Sequence, residues 1–192
     1  MNFTCIIVVW LVCVAVIFIS LLGIYLLVSS LFMKYAPPVR SSGKLKQAIL
    51  FDIAKELDKL PNGRLVVDLG SGWGTLLVPL AKKFPQHQFL GIERALLPYL
   101  FSCFRVRKLD NISFLRQDFY QYNLKNADIV VMFLIGFMMP TVTEKIVQEV
   151  KCDAKVYASR FPLVNIQADE VISLGSKMET YYIYNFNKNK NL

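Results

Sequence analysis

Three carboxylates and a run of alternating glycines are the residues of this chain whose types and spacing could do chemistry. Asp68 closes the apolar part of Val66-Val67-Asp68-Leu69-Gly70-Ser71-Gly72-Trp73-Gly74, after which Thr75-Leu76-Leu77-Val78 starts a helical pattern. Glu93 ends Phe89-Leu90-Gly91-Ile92-Glu93-Arg94, and Asp118 ends the strand-like part of Leu115-Arg116-Gln117-Asp118-Phe119-Tyr120. Glycine has no Cβ, so a backbone rich in it turns sharply off a strand and lets a ligand touch main-chain atoms. Gly70, Gly72 and Gly74 are spaced G-x-G-x-G, whereas the dinucleotide fingerprint reads G-x-G-x-x-G, which argues against a nicotinamide dehydrogenase. An acid at Glu93 can accept hydrogens from both hydroxyls of a ribose; the plainer alternative is an acid favoured by a helix N-terminus, worth about 0.3–1 kcal/mol. Asp118 can accept an adenine amino group, with Phe119 as a flat apolar wall, or it is an ordinary helix cap. Asp68 suits organising the glycine loop, or meeting an ammonium group through water, better than it suits chemistry. Three acids ending three consecutive strands around one glycine loop are hard to attribute to chance.

Those strands alternate with helices. The apolar positions Leu45, Ile49, Ile53, Leu57 and Leu60 predict an amphipathic helix over residues 44–60, ended by Pro61-Asn62-Gly63. Strands are expected at 65–69, 88–92, 112–116, 128–135 and 155–161, the fourth apolar enough to be buried on both faces. Helices are expected at about 75–84, with Pro79 near its first turn, at 95–108 and at 138–150. Residues 171–174 and 180–186 read as an antiparallel pair around Gly175-Ser176. This order implies an α/β fold: a Rossmann-like, doubly wound, mostly parallel sheet with a C-terminal antiparallel hairpin. In such sheets the ligand lies beyond the carboxyl ends of the strands, beside strand one, where the glycine loop falls. His87, the single histidine, sits between two glutamines and reads as a surface residue. The four cysteines lack the spacing of a zinc site or a disulfide framework, and no metal is expected.

The chain has 192 residues, 55% of them hydrophobic. Most of the excess comes from Cys5 to Met33, which holds no charged residue. A bilayer span needs roughly 20 apolar residues, so one N-terminal transmembrane helix is expected. A cleaved signal peptide would need a basic start and a shorter apolar core, but no Lys or Arg precedes Lys34. The expected organisation is an anchor over 1–34, a linker over 35–43, a domain over 44–186 and a disordered Asn- and Lys-rich tail over 187–192. Lys34, Arg40, Lys44 and Lys46 follow the span, which puts the domain on the cytoplasmic side of a single-pass membrane protein. The net charge of +8 is spread without a nucleic-acid-binding motif, so attraction to a membrane surface is expected, not a nucleic-acid partner.

Residues from about 37 to 186, with the anchor, resemble the membrane-anchored class I lysine methyltransferases, whose mitochondrial members modify the ATP synthase c-subunit and the adenine nucleotide translocase. The resemblance rests on Val67-Asp68-Leu69-Gly70-Ser71-Gly72-x-Gly74, Gly91-x-Glu93 and Asp118, together with Met138-Met139 and Arg160-Phe161-Pro162. It implies S-adenosylmethionine as cofactor, bound by Asp68, Gly70, Ser71, Gly72, Trp73, Gly74, Glu93, Asp118 and Phe119. It also implies a lysine acceptor on a membrane protein, approached past Phe133, Phe137, Arg160, Phe161 and Pro162. The location implied is the cytoplasmic (inner) membrane, or the mitochondrial inner membrane in a eukaryote. Trp73 stands where the family usually has an acid, and Thr75 where it often has Arg. Trp73 packs against the methionine moiety, walls the methyl-transfer pocket, or is a surface-anchoring aromatic. Phe133-Leu134-Ile135-Gly136-Phe137 carries no polar group where relatives tend to offer one. No residue declares itself a general base. Two other readings stay open: methylation of a lipid or small molecule, and a membrane-tethered protein that binds S-adenosylmethionine without catalysis.

Overall fold

The computed structural model describes residues 3–32, 43–176 and 179–186. Most of the expected linker, with Lys34 and Arg40, and the expected tail lie outside them. Two compact units form, one around the first helix and one from the second helix onward. The first unit is α1, Phe3–Phe32. Within it Ile7–Leu27 is long and apolar enough to cross a membrane. Its backbone groups bond within the helix, as an apolar medium demands, and Ser20 Oγ donates to Val16 O at 2.8 Å.

The second unit is one seven-stranded sheet with helices against it. The elements run α2 (Gly43–Leu57), β1 (Leu65–Leu69), α3 (Leu77–Lys83), β2 (Gln88–Ile92), α4 (Leu96–Val106), β3 (Ile112–Leu115), β4 (Ile129–Met132), α5 (Met139–Glu149), β5 (Lys155–Ser159), β6 (Glu170–Ser173) and β7 (Thr180–Asn185). The strand order is β3-β2-β1-β4-β5-β7-β6. Strands β1 to β5 pair in parallel, while β7 runs antiparallel to both β5 and β6, so the expected terminal hairpin is present. Helices and strands end a few residues inside their expected limits: α2 stops at Leu57, β4 at Met132 and β5 at Ser159. Short 3-10 turns at Phe119–Gln121 and Gly136–Met138 have no periodic signal in the sequence. Pro79 falls in the first turn of α3, where a missing N–H costs little.

Alternation along the strands gives the sheet two apolar faces. Val66, Phe89, Ile129, Val131 and Tyr157 join Leu45, Ile49, Ile53 and Leu57 of α2 and Leu77, Leu80 and Ala81 of α3 in one cluster. Val67, Leu90, Val130 and Val156 point the other way and are also buried, so the strands read as continuous apolar runs. Two polar links tie α2 to the sheet: Tyr181 Oη donates to Asp52 Oδ2, and Lys155 Nζ meets Glu56 Oε2 at 2.7 Å.

His87 corrects the sequence reading. It is fully buried, packed near Phe84 with 6.1 Å between ring centroids, and its Nδ1 accepts the Arg64 N–H at 3.3 Å. The polar neighbours mark a turn, but that turn folds under the side chain of Asn111. Buried Asn111 donates from Nδ2 to the carbonyls of Ala81, Phe84 and His87 at 3.0, 3.1 and 3.2 Å, closing the end of α3 that leads into β2. Asn111→Ala removes a buried donor shared by three carbonyls, of which Phe84 O keeps the His87 N–H at 3.1 Å. The expected loss is about 2 kcal/mol, read as a lower urea midpoint with an unchanged slope.

Candidate functional site

Because β1 to β5 are parallel, their carboxyl ends share one edge of the sheet. The order reverses between β1 and β4, so the two connections leaving there diverge and open a crevice. The segment 70–74 leaves β1, Glu93 follows β2, Asp118 follows β3, 133–138 leave β4 and 160–162 leave β5. Topology therefore brings all the candidate residues to one edge.

The glycine loop is held from both sides. The N–H groups of Gly70 and Ser71 both donate to Ile92 O, at 2.9 and 3.0 Å, and Gly74 N donates to Ser71 O at 3.0 Å. All three loop glycines have positive φ: 75° at Gly70, 53° at Gly72 and 66° at Gly74. At Gly72 a Cβ would meet nothing within 4 Å, so this backbone faces open space. Glu93 locks the loop: its Oε2 accepts from Gly72 N at 2.8 Å and its Oε1 from Ala95 N at 2.7 Å. Ser102, buried in α4, donates from Oγ to Gly72 O at 3.1 Å.

Behind the loop stands Phe114 of β3. A Cβ at Gly91 would lie 2.4 Å from this ring and 2.6 Å from Ser71 Oγ; one at Gly74 would lie 2.7 Å from the ring. Gly91, Ser102 and Phe114 are thus parts of the site beyond the cofactor residues that the resemblance implies. Gly91 carries a signal, since a glycine inside a buried strand marks close approach. Ser102 and Phe114 carry none, because their partners are far away in sequence.

Asp68 is buried below the loop at the end of β1. Burial, and then the charge of Glu93, push its carboxyl from the usual 3.8 up to about 8. A carboxylate desolvated beside a second acid is poorly matched unless a cation arrives. The Ser71 hydroxyl is also buried and has no hydrogen-bond partner. Asp118 caps the 3-10 turn, its Oδ1 accepting from Tyr120 N at 3.1 Å, and its Oδ2 lies 3.6 Å from Arg94. Phe119 is buried, with its ring 4.4 Å from that of Tyr120.

Trp73 turns outward onto α4. Its ring meets Phe101 edge-on at 5.2 Å, and its carbonyl accepts from Arg105 Nη1 at 2.8 Å. Phe133 is half-buried against the core cluster, whereas Phe137 is exposed. Phe161 lies across Gly136, where a Cβ would come within 3.1 Å of its ring. Arg160 has φ of 68° and donates its N–H to Thr180 O at 2.8 Å; Pro162 is exposed.

An acid whose folded pKa exceeds its unfolded value binds an extra proton when folded, so its stability contribution is full at low pH and is lost as pH rises. For Asp68 that window runs from about pH 4 to about pH 8. Urea unfolding across it should show a loss that Asp68→Asn removes, with a slope from this group of at most about 1.4 kcal/mol per pH unit.

Residues 68–170 match the family model described as the ANTKMT methyltransferase domain. A protein-lysine N-methyltransferase of Saccharolobus islandicus (strain REY15A) is 23% identical over 164 residues, 83% of this chain and 99% of the relative. The ATP synthase c-subunit lysine N-methyltransferase of Xenopus laevis is 30% identical over 125 residues, 62% of this chain. The chain spans about half the length of that relative, 53%. Among solved structures, an RNA methyltransferase from Salinibacter ruber in complex with S-adenosyl-L-homocysteine superposes with a TM-score of 0.67 at 16% identity, covering 78% of this chain and 95% of the other. At that identity the likeness concerns the fold.

Proposed function

The chain belongs to the ANTKMT methyltransferase domain family, and from that premise we propose that it is an S-adenosylmethionine-dependent enzyme, anchored in a membrane by α1, that methylates a lysine of a membrane-associated protein. The observation that carries the reading is buried Asp68, with the charge of half-buried Glu93 acting on it, under a glycine loop whose Gly72 backbone faces open space. This donor set suits S-adenosylmethionine: a cation with a ribose, an amino acid end and an adenine. The organisation that goes with it is an anchor over 1–34, a linker over 35–43 and a catalytic domain over 44–186. The basic residues after the span favour the cytoplasmic side of the membrane.

S-adenosylmethionine supplies a methyl group already activated by a sulfonium leaving group. The chain's own task is therefore alignment and desolvation. In this reading Gly70, Ser71, Gly72 and Gly74 present the main chain to the cofactor, and the Ser71 hydroxyl has a free donor to offer. Asp68 supplies negative charge in a dry site, where it acts more strongly on a cation than it would in water. Glu93 spends one lone pair on the loop and one on the start of α4, and keeps the others for ribose hydroxyls. Asp118 and Phe119 serve the base. Trp73 contributes its backbone; its ring belongs to the surface of α4. On the acceptor side, exposed Phe137 and the Phe161 ring over Gly136 offer an apolar approach. Such surroundings lower the pKa of an incoming lysine and release its lone pair, and aromatic faces attract its cationic form beforehand.

Gly72→Ala separates binding from folding. Its Cβ meets no protein atom, so the cost to stability is that of a left-handed backbone, about 1–2 kcal/mol. Calorimetry should nonetheless show S-adenosylmethionine affinity reduced by about tenfold or more, because the added Cβ occupies the open volume above the loop. The acceptor is tested by incubating the full chain with methyl-labelled S-adenosylmethionine and membranes from cells lacking this protein. Label is expected on protein lysines; label confined to the organic extract identifies a lipid acceptor and overturns the lysine assignment.

A further inference from the structure

Helix α4 is turned inside out relative to its neighbours. Within Leu96–Val106 only Ser102 and Val106 are buried. Its outward face carries Leu100, Phe101 and Phe104, exposed by 51%, 47% and 65%. By contrast α5 directs Val142, Ile146 and Met139 inward and exposes Pro140, Thr141, Glu144 and Gln148 alongside Val147. Trp73, 43% exposed, extends the apolar face of α4 to the glycine loop through its edge contact with Phe101. Basic groups frame the patch. The Arg107 guanidinium lies 4.2 Å over the Phe104 ring, Arg105 lies 5.8 Å from the Phe101 ring, and Lys108 is exposed beside them. Between Ala95 and Leu109 the sequence contains no acid.

We propose that this face, formed by Leu100, Phe101, Phe104 and Trp73 with Arg105, Arg107 and Lys108, docks on the surface of an anionic phospholipid bilayer. A bilayer interface takes both halves of such a face at one depth: rings and Leu100 enter the headgroup–acyl boundary while guanidinium and ammonium groups meet phosphates. A protein partner would have to supply an apolar groove and a matching set of acids together, and interface centres are depleted in lysine. Each basic residue near an anionic surface strengthens binding by about fivefold. A helix elsewhere in the chain has the length and composition of a membrane span, so a bilayer is a surface the domain would meet. Because Trp73 sits inside the glycine loop, docking would present the loop to groups at headgroup depth. This placement deepens the proposed function, yet the docking itself needs no methyl transfer.

The test uses the full chain reconstituted into vesicles, carrying Trp10→Phe so that Trp73 is the single tryptophan. Vesicles are phosphatidylcholine with or without phosphatidylglycerol, with bromine on the acyl chains as quencher. Trp73 emission should shift to the blue and be quenched in the phosphatidylglycerol vesicles. Phe104→Ser, at an exposed site, and the pair Arg107→Glu with Lys108→Glu should each lower the docked-to-undocked ratio, the charge reversal by about tenfold or more. Circular dichroism shows whether those variants keep the fold, and calorimetric S-adenosylmethionine binding reports on the cofactor reading independently. Trp73 emission indifferent to the brominated anionic lipid, quenching unaffected by the folded variants, or burial of Trp73 only when a second membrane protein is added would each overturn the proposal.

Discussion

Glu93 bridging Gly72 N and Ala95 N is the interaction on which the rest of the site depends. It fastens the connection leaving β1 to the start of α4, and so joins two neighbouring strand ends into one rigid rim. Its charge has a second consequence, since it lies close enough to Asp68 to add to the effect of burial on that carboxyl. One acid is thus buried at the end of β1, and a second, half-buried, stands at the end of neighbouring β2. Such an arrangement is costly for an empty protein and favourable for one that receives a cation.

The rim exists because side chains are missing where they would collide. Phe114 fills space that a Cβ on Gly74 or Gly91 would claim, and Ser71 Oγ crowds Gly91 from the other side. The ring of one strand therefore supports the loop of another, with β2 between them. Gly72 differs from both: its backbone is strained for other residues, but the volume above it is clear. Within the five-residue loop, packing demands glycine at Gly74, whereas conformation and access demand it at Gly72.

Outside the site, the charge and the apolar surface follow a common plan. The strands β1, β4 and β5 spend their apolar side chains on two buried faces, as parallel sheets do. Helix α4 packs on the core through Tyr99, Ser102, Cys103 and Val106, and leaves Leu100, Phe101 and Phe104 outside. Arginine stems and guanidinium groups cover part of those rings, which keeps the patch compatible with water.

Periodicity and punctuation in the chain were enough to determine the alternation of strands and helices, the parallel sheet, the terminal hairpin and a helix of bilayer length, because each depends on local pattern and burial. They also located the glycine loop and three acids at strand ends, since a strand end is a local property. What only the tertiary structure decided was where long-range partners fall. His87 looked polar and exposed by its neighbours, yet Asn111, from just before β3, folds it inward. Trp73 meets the edge of Phe101 from α4 with its ring, and its carbonyl accepts from Arg105. Glu93 offered two carboxylate oxygens in the sequence, but the fold brought Gly72 and Ala95 to both. The physical reason is common to all three: side-chain direction and hydrogen-bond satisfaction are set by atoms from distant segments, and no local period encodes which atoms those will be.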